Sequence, residues 1–153
     1  MRQIETVTLD DARRVIAAGE QKAREIGSPS NVAVVDAGGN LVAHIRMDDA
    51  WMGSIDISIN KAFTARAFDT STGDLAKNSQ PGEQFYGIAD SNHGRVMIFA
   101  GGVPLRGNNG NVVGGVGVSG GTRRPGPDRR RSGRGRVLTR SPPTVPDARQ
   151  ECR

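Results

Sequence analysis

The chain has 153 residues, about one domain, and with one Trp, one Tyr and four Phe its core must be built from Val, Ile, Leu, Ala and Met. Its formal charge of +5 is unevenly held: residues 1–122 carry 11 Lys or Arg against 13 Asp or Glu, and residues 123–153 carry ten Arg against three acids. Cys152 is the only cysteine, which excludes an intrachain disulfide framework and a thiolate metal cluster; the opening residues lack the apolar core of a secretory signal and no apolar run approaches the roughly 20 residues of a membrane span, so no membrane contact and a cytoplasmic location are expected.

Thr8 to Ile26 reads as the first helix. Thr8 caps it, Asp11 stands three residues on in a box arrangement, and Leu9, Ala12, Val15, Ile16, Gly19 and Ala23 return at helical spacing. Gly27-Ser28-Pro29 stops it. Asn31 to Val35 and Leu41 to Arg46 then read as two strands joined through Asp36-Ala37-Gly38-Gly39-Asn40, a hairpin signal. After a loop over 47–53, Ser54 is expected to cap a second helix from Ile55 to about Phe68, with Ile55, Ile59, Ala62 and Phe63 on its apolar face. Asp74-Leu75-Ala76 suits a single helical turn, Gln80 to Glu83 is loop chemistry, and Asp90 to Arg95 is a polar turn. Val96 to Phe99 reads as a strand broken by Gly101 to Leu105, and Val112 to Val118 as a last strand punctuated by three glycines.

This order predicts an α+β fold with a mostly antiparallel sheet of about five strands and flanking helices. It excludes a dinucleotide-binding Rossmann unit, because no strand is followed by a glycine motif that opens a helix. Arg123 to Arg153, with ten Arg, no Lys and five Pro, has two readings. It is either a disordered basic arm for nucleic acid or another polyanion, or the product of translation in a shifted frame of a GC-rich gene. Apart from that tail nothing points to nucleic acid.

Gly101-Gly102-Val103-Pro104-Leu105 followed by Gly114-Gly115-Val116-Gly117-Val118-Ser119-Gly120-Gly121 resembles the signature of the GlcG/HbpS-like family, also called the haem-degrading domain family. Ala33 to Gly39, Arg46 to Ala50, Ser54-Ile55-Asp56 with Lys61-Ala62, and Pro81-Gly82 before Tyr86-Gly87 match in the same order, so that residues 1–122 form the expected domain and 123–153 an atypical tail. The resemblance implies a profilin-like or PAS-like fold and assembly into dimers or larger rings. It also implies a small-molecule or haem ligand. Family members continue after this point through an acidic, alanine-rich helix, which Arg123-Arg124-Pro125 replaces here.

For haem, the candidate donors are His44, His93, Met47, Met52, Met97 and Tyr86, with imidazole the commonest axial donor. His93 sits in a polar turn and His44 on a strand. Lys61, between apolar neighbours, is placed either to meet a carboxylate or propionate, with Arg66 nearby, or to pair internally with Asp56 or Asp36. Gly101, Gly102, Pro104 and Leu105 form the expected ligand-facing corner, where missing side chains let backbone N–H groups converge; Gly114, Gly115 and Gly117 fit close packing of a strand better. A ligand-binding protein is the first expectation. Its alternatives are a cofactor-independent lyase or isomerase of small-molecule catabolism with Lys61 or Asp48 as base, and a structural oligomeric subunit.

Overall fold

The computed structural model describes residues 4–120. The expected boundary after Thr122 and both readings of the tail lie outside these residues. Nine segments follow one another: α1 (Leu9–Glu25), β1 (Ser30–Val35), β2 (Leu41–Arg46), α2 (Ser54–Ala67), α3 (Thr72–Lys77), a 3-10 turn (Ile88–Asp90), a helical turn (Ser91–Gly94), β3 (Gly102–Arg106) and β4 (Val112–Gly120). The fold is α+β, a profilin-like or PAS-like arrangement in which one antiparallel sheet of order β2-β1-β4-β3 is flanked by helices.

The sheet has four strands where about five were expected. Val96–Phe99 is rich in β-branched and aromatic residues, yet it forms no ladder: it runs as a strap along α2, where Met97 donates its amide to Thr64 Oγ1 (2.9 Å). Gly102–Arg106, expected to break a strand, is itself a strand, and Pro104 is accommodated because β3 lies at the edge of the sheet.

α1 begins as expected: Thr8 Oγ1 accepts from the Asp11 amide, and Asp11 Oδ2 accepts from the Thr8 amide, closing a capping box. Ala12, Ile16 and Ala23 are buried, whereas Leu9 at the helix start stays in solvent. The buried face packs on Val32 and Val34 of β1, with Val7, Ala43, Ile45, Val116 and Val118 completing this larger half of the core. The hairpin turn is held by Asp36, whose carboxylate accepts from the Gly38 and Asn40 amides, both at 2.8 Å.

The opposite face of the sheet carries α2, and here the expected apolar stripe is corrected. Gly53, without a side-chain cap bond, precedes the helix in place of a Ser54 cap, and the residues buried along it are Ser54, Ser58, Lys61, Ala62, Thr64 and Ala65, with Ile55, Ile59 and Phe63 only half-buried. The cause is the glycines of β4. A Cβ on Gly117 would stand 2.0 Å from the Ser58 carbonyl oxygen, and one on Gly115 2.4 Å from that of Ala62. Helix backbone rests directly on strand backbone, so only small helix residues fit between them.

Candidate functional site

Lys61 projects from α2 toward the junction of β4 with the segment entering β3. Its residue is only 4% exposed, and Nζ donates to the Val118 carbonyl at 3.2 Å while lying 4.2 Å from the centre of the Phe99 ring. Neither Asp56 nor Asp36 pairs with it. Among the described residues Lys61 has no carboxylate partner, unlike Lys22 and Lys77, which meet Glu25 and Asp74. Burial pushes the Lys61 ammonium below its ordinary pKa of 10.5.

Gly101 roofs this amine. Its φ of +125° is comfortable only for glycine, and a Cβ there would stand 2.8 Å from Lys61 Nζ and 2.5 Å from the Val118 oxygen. Gly102 is fixed beside it by donating its amide to Thr72 Oγ1 at 2.9 Å, and a Cβ there would meet the Lys61 carbonyl oxygen at 2.5 Å. Lys61, Gly101 and Gly102 therefore meet in space. Phe99 and Thr72 complete the corner, and neither was singled out in the sequence; the only signal was the run of apolar residues ahead of Gly101-Gly102.

The other candidate residues lie elsewhere. Arg66 is ion-paired to Asp69 at 2.7 Å, has a buried Nε without a partner, and lines an 890 Å³ cleft with Glu5, Asn109 and Asn111. Asp48 lies with Met47 and Arg46 in a 410 Å³ groove against Glu20 and Arg24 of α1. Pro104 is half-buried opposite Gly115, and Leu105 packs on the α1 side of the sheet. Tyr86 and Met52 are exposed.

The two histidines differ sharply. His93 is exposed in the turn after the 3-10 segment, with left-handed backbone (φ 59°). His44 pairs with Ala33 across β1 and β2, on the α2 side of the sheet, and its Nε2 is buried without a hydrogen-bond partner. Burial holds its imidazole below the ordinary pKa of 6.5. A neutral imidazole with an unused nitrogen fits the chemistry of a haem donor, although His44 lines neither of these two clefts. Among the described residues no three His, Cys, Asp or Glu side chains gather as a metal site requires, and no helix is long and apolar enough to cross a membrane.

The depressed His44 pKa has a measurable sign. The unfolded chain takes up this proton first as pH falls, so stability is expected to drop below pH 6.5, well before the carboxylates of Asp11, Asp36 and Asp74 titrate below 3.8. Urea unfolding midpoints of the parent should fall between pH 7 and 5, and those of His44→Leu should fall less.

A small α+β domain whose glycine-bearing strand lies against a helix, with an uncompensated lysine at one corner, is the class that fold and site define. Residues 7–125 match the family model described as haem degrading protein HbpS-like. The chain belongs to this HbpS-like family. It is 48% identical over 120 residues to an uncharacterised 15.0 kDa protein from the dhaT-dhaS intergenic region of Citrobacter freundii, covering 78% of this chain and 84% of that one. Among solved structures it is similar to the protein ORFY of Klebsiella pneumoniae (TM-score 0.76, 43% identity, 80% of this chain and 83% of the other). It is also similar to PduOC in its haem complex (TM-score 0.71, 35% identity, 75% and 83%).

Proposed function

We propose that this chain is a small-ligand binding protein, working as a homo-oligomer, that meets an oxygenated ligand through Lys61. The observation that carries this reading is the buried Lys61 amine, which has no carboxylate partner among the described residues and is roofed by a residue without a side chain. Burying such a group costs free energy that its one carbonyl bond and one aromatic contact only partly offset, and an oxygen atom of a ligand would complete its surroundings. The role of the corner is to bind and orient; Gly101 lets the backbone come down close on the amine, and the Phe99 ring flanks it.

The test is a thermal-shift panel of small carboxylates, aldehydes and polyols on the full chain and on Lys61→Met. A ligand at about 100 times its Kd stabilises the protein by about 2.7 kcal/mol. A shift in the parent that vanishes in Lys61→Met is the expected result. Equal shifts in both proteins would overturn the role given to Lys61.

Haem is the second reading, favoured by the unpartnered Nε2 of His44 and by the haem complex of PduOC. When bound, haem would supply an iron centre that the His44 imidazole would hold, and Lys61 would be available to a propionate. Titration with hemin should then give a Soret band shift that His44→Leu loses and His93→Gln keeps. An unshifted band, or one indifferent to His44, would remove haem from the reading.

A further inference from the structure

We propose that the cleft walled by Arg66 and Glu5 is a second binding site, separate from the Lys61 corner, for a small amino acid whose carboxylate meets Arg66 and whose ammonium meets Glu5. The cleft spans 890 Å³ where the chain entering α1, the end of α2 and the turn joining β3 to β4 come together. Asp69 takes only one side of the Arg66 guanidinium, accepting from Nη1 at 2.7 Å. The other edge, formed by Nε and Nη2, is unspent: neither nitrogen has a partner among the described residues. That is the edge on which a guanidinium receives both oxygens of a carboxylate. The Arg66 side chain is 25% exposed and lines the cleft, and Nε is the buried nitrogen of the pair, so an acceptor entering from solvent meets Nη2 first, with Nε adjoining it.

The charges of the cleft set what else the ligand must carry. Asp69 already offsets Arg66, and Glu5 adds an exposed acid that has no cationic partner among the described residues, so the lining as a whole is negative. A bare carboxylate would add to that charge, and a bare amine would leave the open edge of Arg66 without an acceptor. A molecule carrying both ends satisfies both groups. Glu5 lies over the β3–β4 turn: its two carboxylate oxygens are each 2.9 Å from the point that a Cβ on Gly107 would occupy, a place that only glycine leaves free. Arg106, at the start of that turn, donates through Nη1 to the Gly110 carbonyl at 3.0 Å. On the same wall, Asn109 is fixed by accepting the Asn111 amide on Oδ1 at 3.0 Å, which leaves its own NH2 group and the Asn111 side chain for the body of the ligand.

The test titrates the full-length protein by isothermal calorimetry with glycine, β-alanine, 4-aminobutyrate and 5-aminovalerate, and with butyrate and butylamine as single-ended controls. One length is expected to bind best, because it matches the separation of Arg66 from Glu5, and each control should bind roughly tenfold or more weaker for want of one charged hydrogen bond. Arg66→Lys keeps the charge without the planar edge, and Glu5→Gln removes a charge from an exposed side chain; each should weaken the best amino acid by a similar factor. Lys61→Met should bind it as the parent does. Binding by none of these amino acids overturns the site, and so does butyrate or butylamine binding as tightly as the best of them. Affinity unchanged in Glu5→Gln overturns it as well, and an accompanying loss in Lys61→Met would assign the ligand to the Lys61 corner instead.

Discussion

Gly117→Ala is expected to lower stability by about 3 kcal/mol or more, a Tm loss of roughly 10 °C, because the new methyl meets backbone and not a side chain that can turn away. Its Cβ would stand 2.0 Å from the Ser58 carbonyl oxygen and 2.5 Å from the Ala62 nitrogen, both within the body of α2. The helix must lift from the sheet, and with it Lys61, whose own Cβ is 3.0 Å from the same point. Thermal unfolding measures the first effect. A loss of ligand-induced shift larger than that of a core substitution of equal cost, such as Val34→Ala, measures the second. If Gly117→Ala unfolds within 2 °C of the parent, the direct backbone contact described for α2 and β4 is wrong.

Thr64→Val is expected to cost about 2 kcal/mol although it preserves shape, because one hydroxyl serves several backbone groups. Thr64 is fully buried; its Oγ1 lies 2.7 Å from the Asn60 carbonyl oxygen and 3.2 Å from that of Arg95, and it accepts the Met97 amide at 2.9 Å. Removing the oxygen leaves the Met97 donor unpaired and unfastens the strap that sets Phe99 over Lys61. Hydrogen exchange should show the Met97 amide losing protection selectively, while amides of β1 keep theirs. Protection unchanged at Met97 would show that the strap is held by other contacts.

The parts of the fold set by local chemistry were legible in the sequence. The Thr8–Asp11 capping box and the Asp36 to Asn40 reversal each rest on side chains that bond to backbone within four residues. What was illegible depends on distant partners. Val96–Phe99 has strand composition, but its amide partner is a threonine 33 residues away, and nothing local distinguishes a strap from a strand. Conversely, Pro104 and two glycines look like breakers, and only a place at the sheet's edge makes Gly102–Arg106 a strand. At the site, the apolar flanks of Lys61 pointed to its burial, and the pairing of Gly101 and Gly102 with it followed the chain's punctuation. Arg66, read as a neighbour of Lys61, is five residues from it but is paired with Asp69 just after α2, and Tyr86, read as a candidate haem donor, is 69% exposed.

The position of Pro104 also limits how copies of this chain can join. β2 and β3 are the two margins of the sheet, and they are chemically unequal. Proline has no N–H to offer and its ring obstructs an approaching strand, so the β3 margin is closed to strand addition, whereas β2 contains no proline between Leu41 and Arg46. Two copies that pair through β2, related by a two-fold axis, use up the one margin that the described residues leave open on each. Association by this route therefore stops at a closed pair, and a continuous ribbon of sheets cannot grow from it.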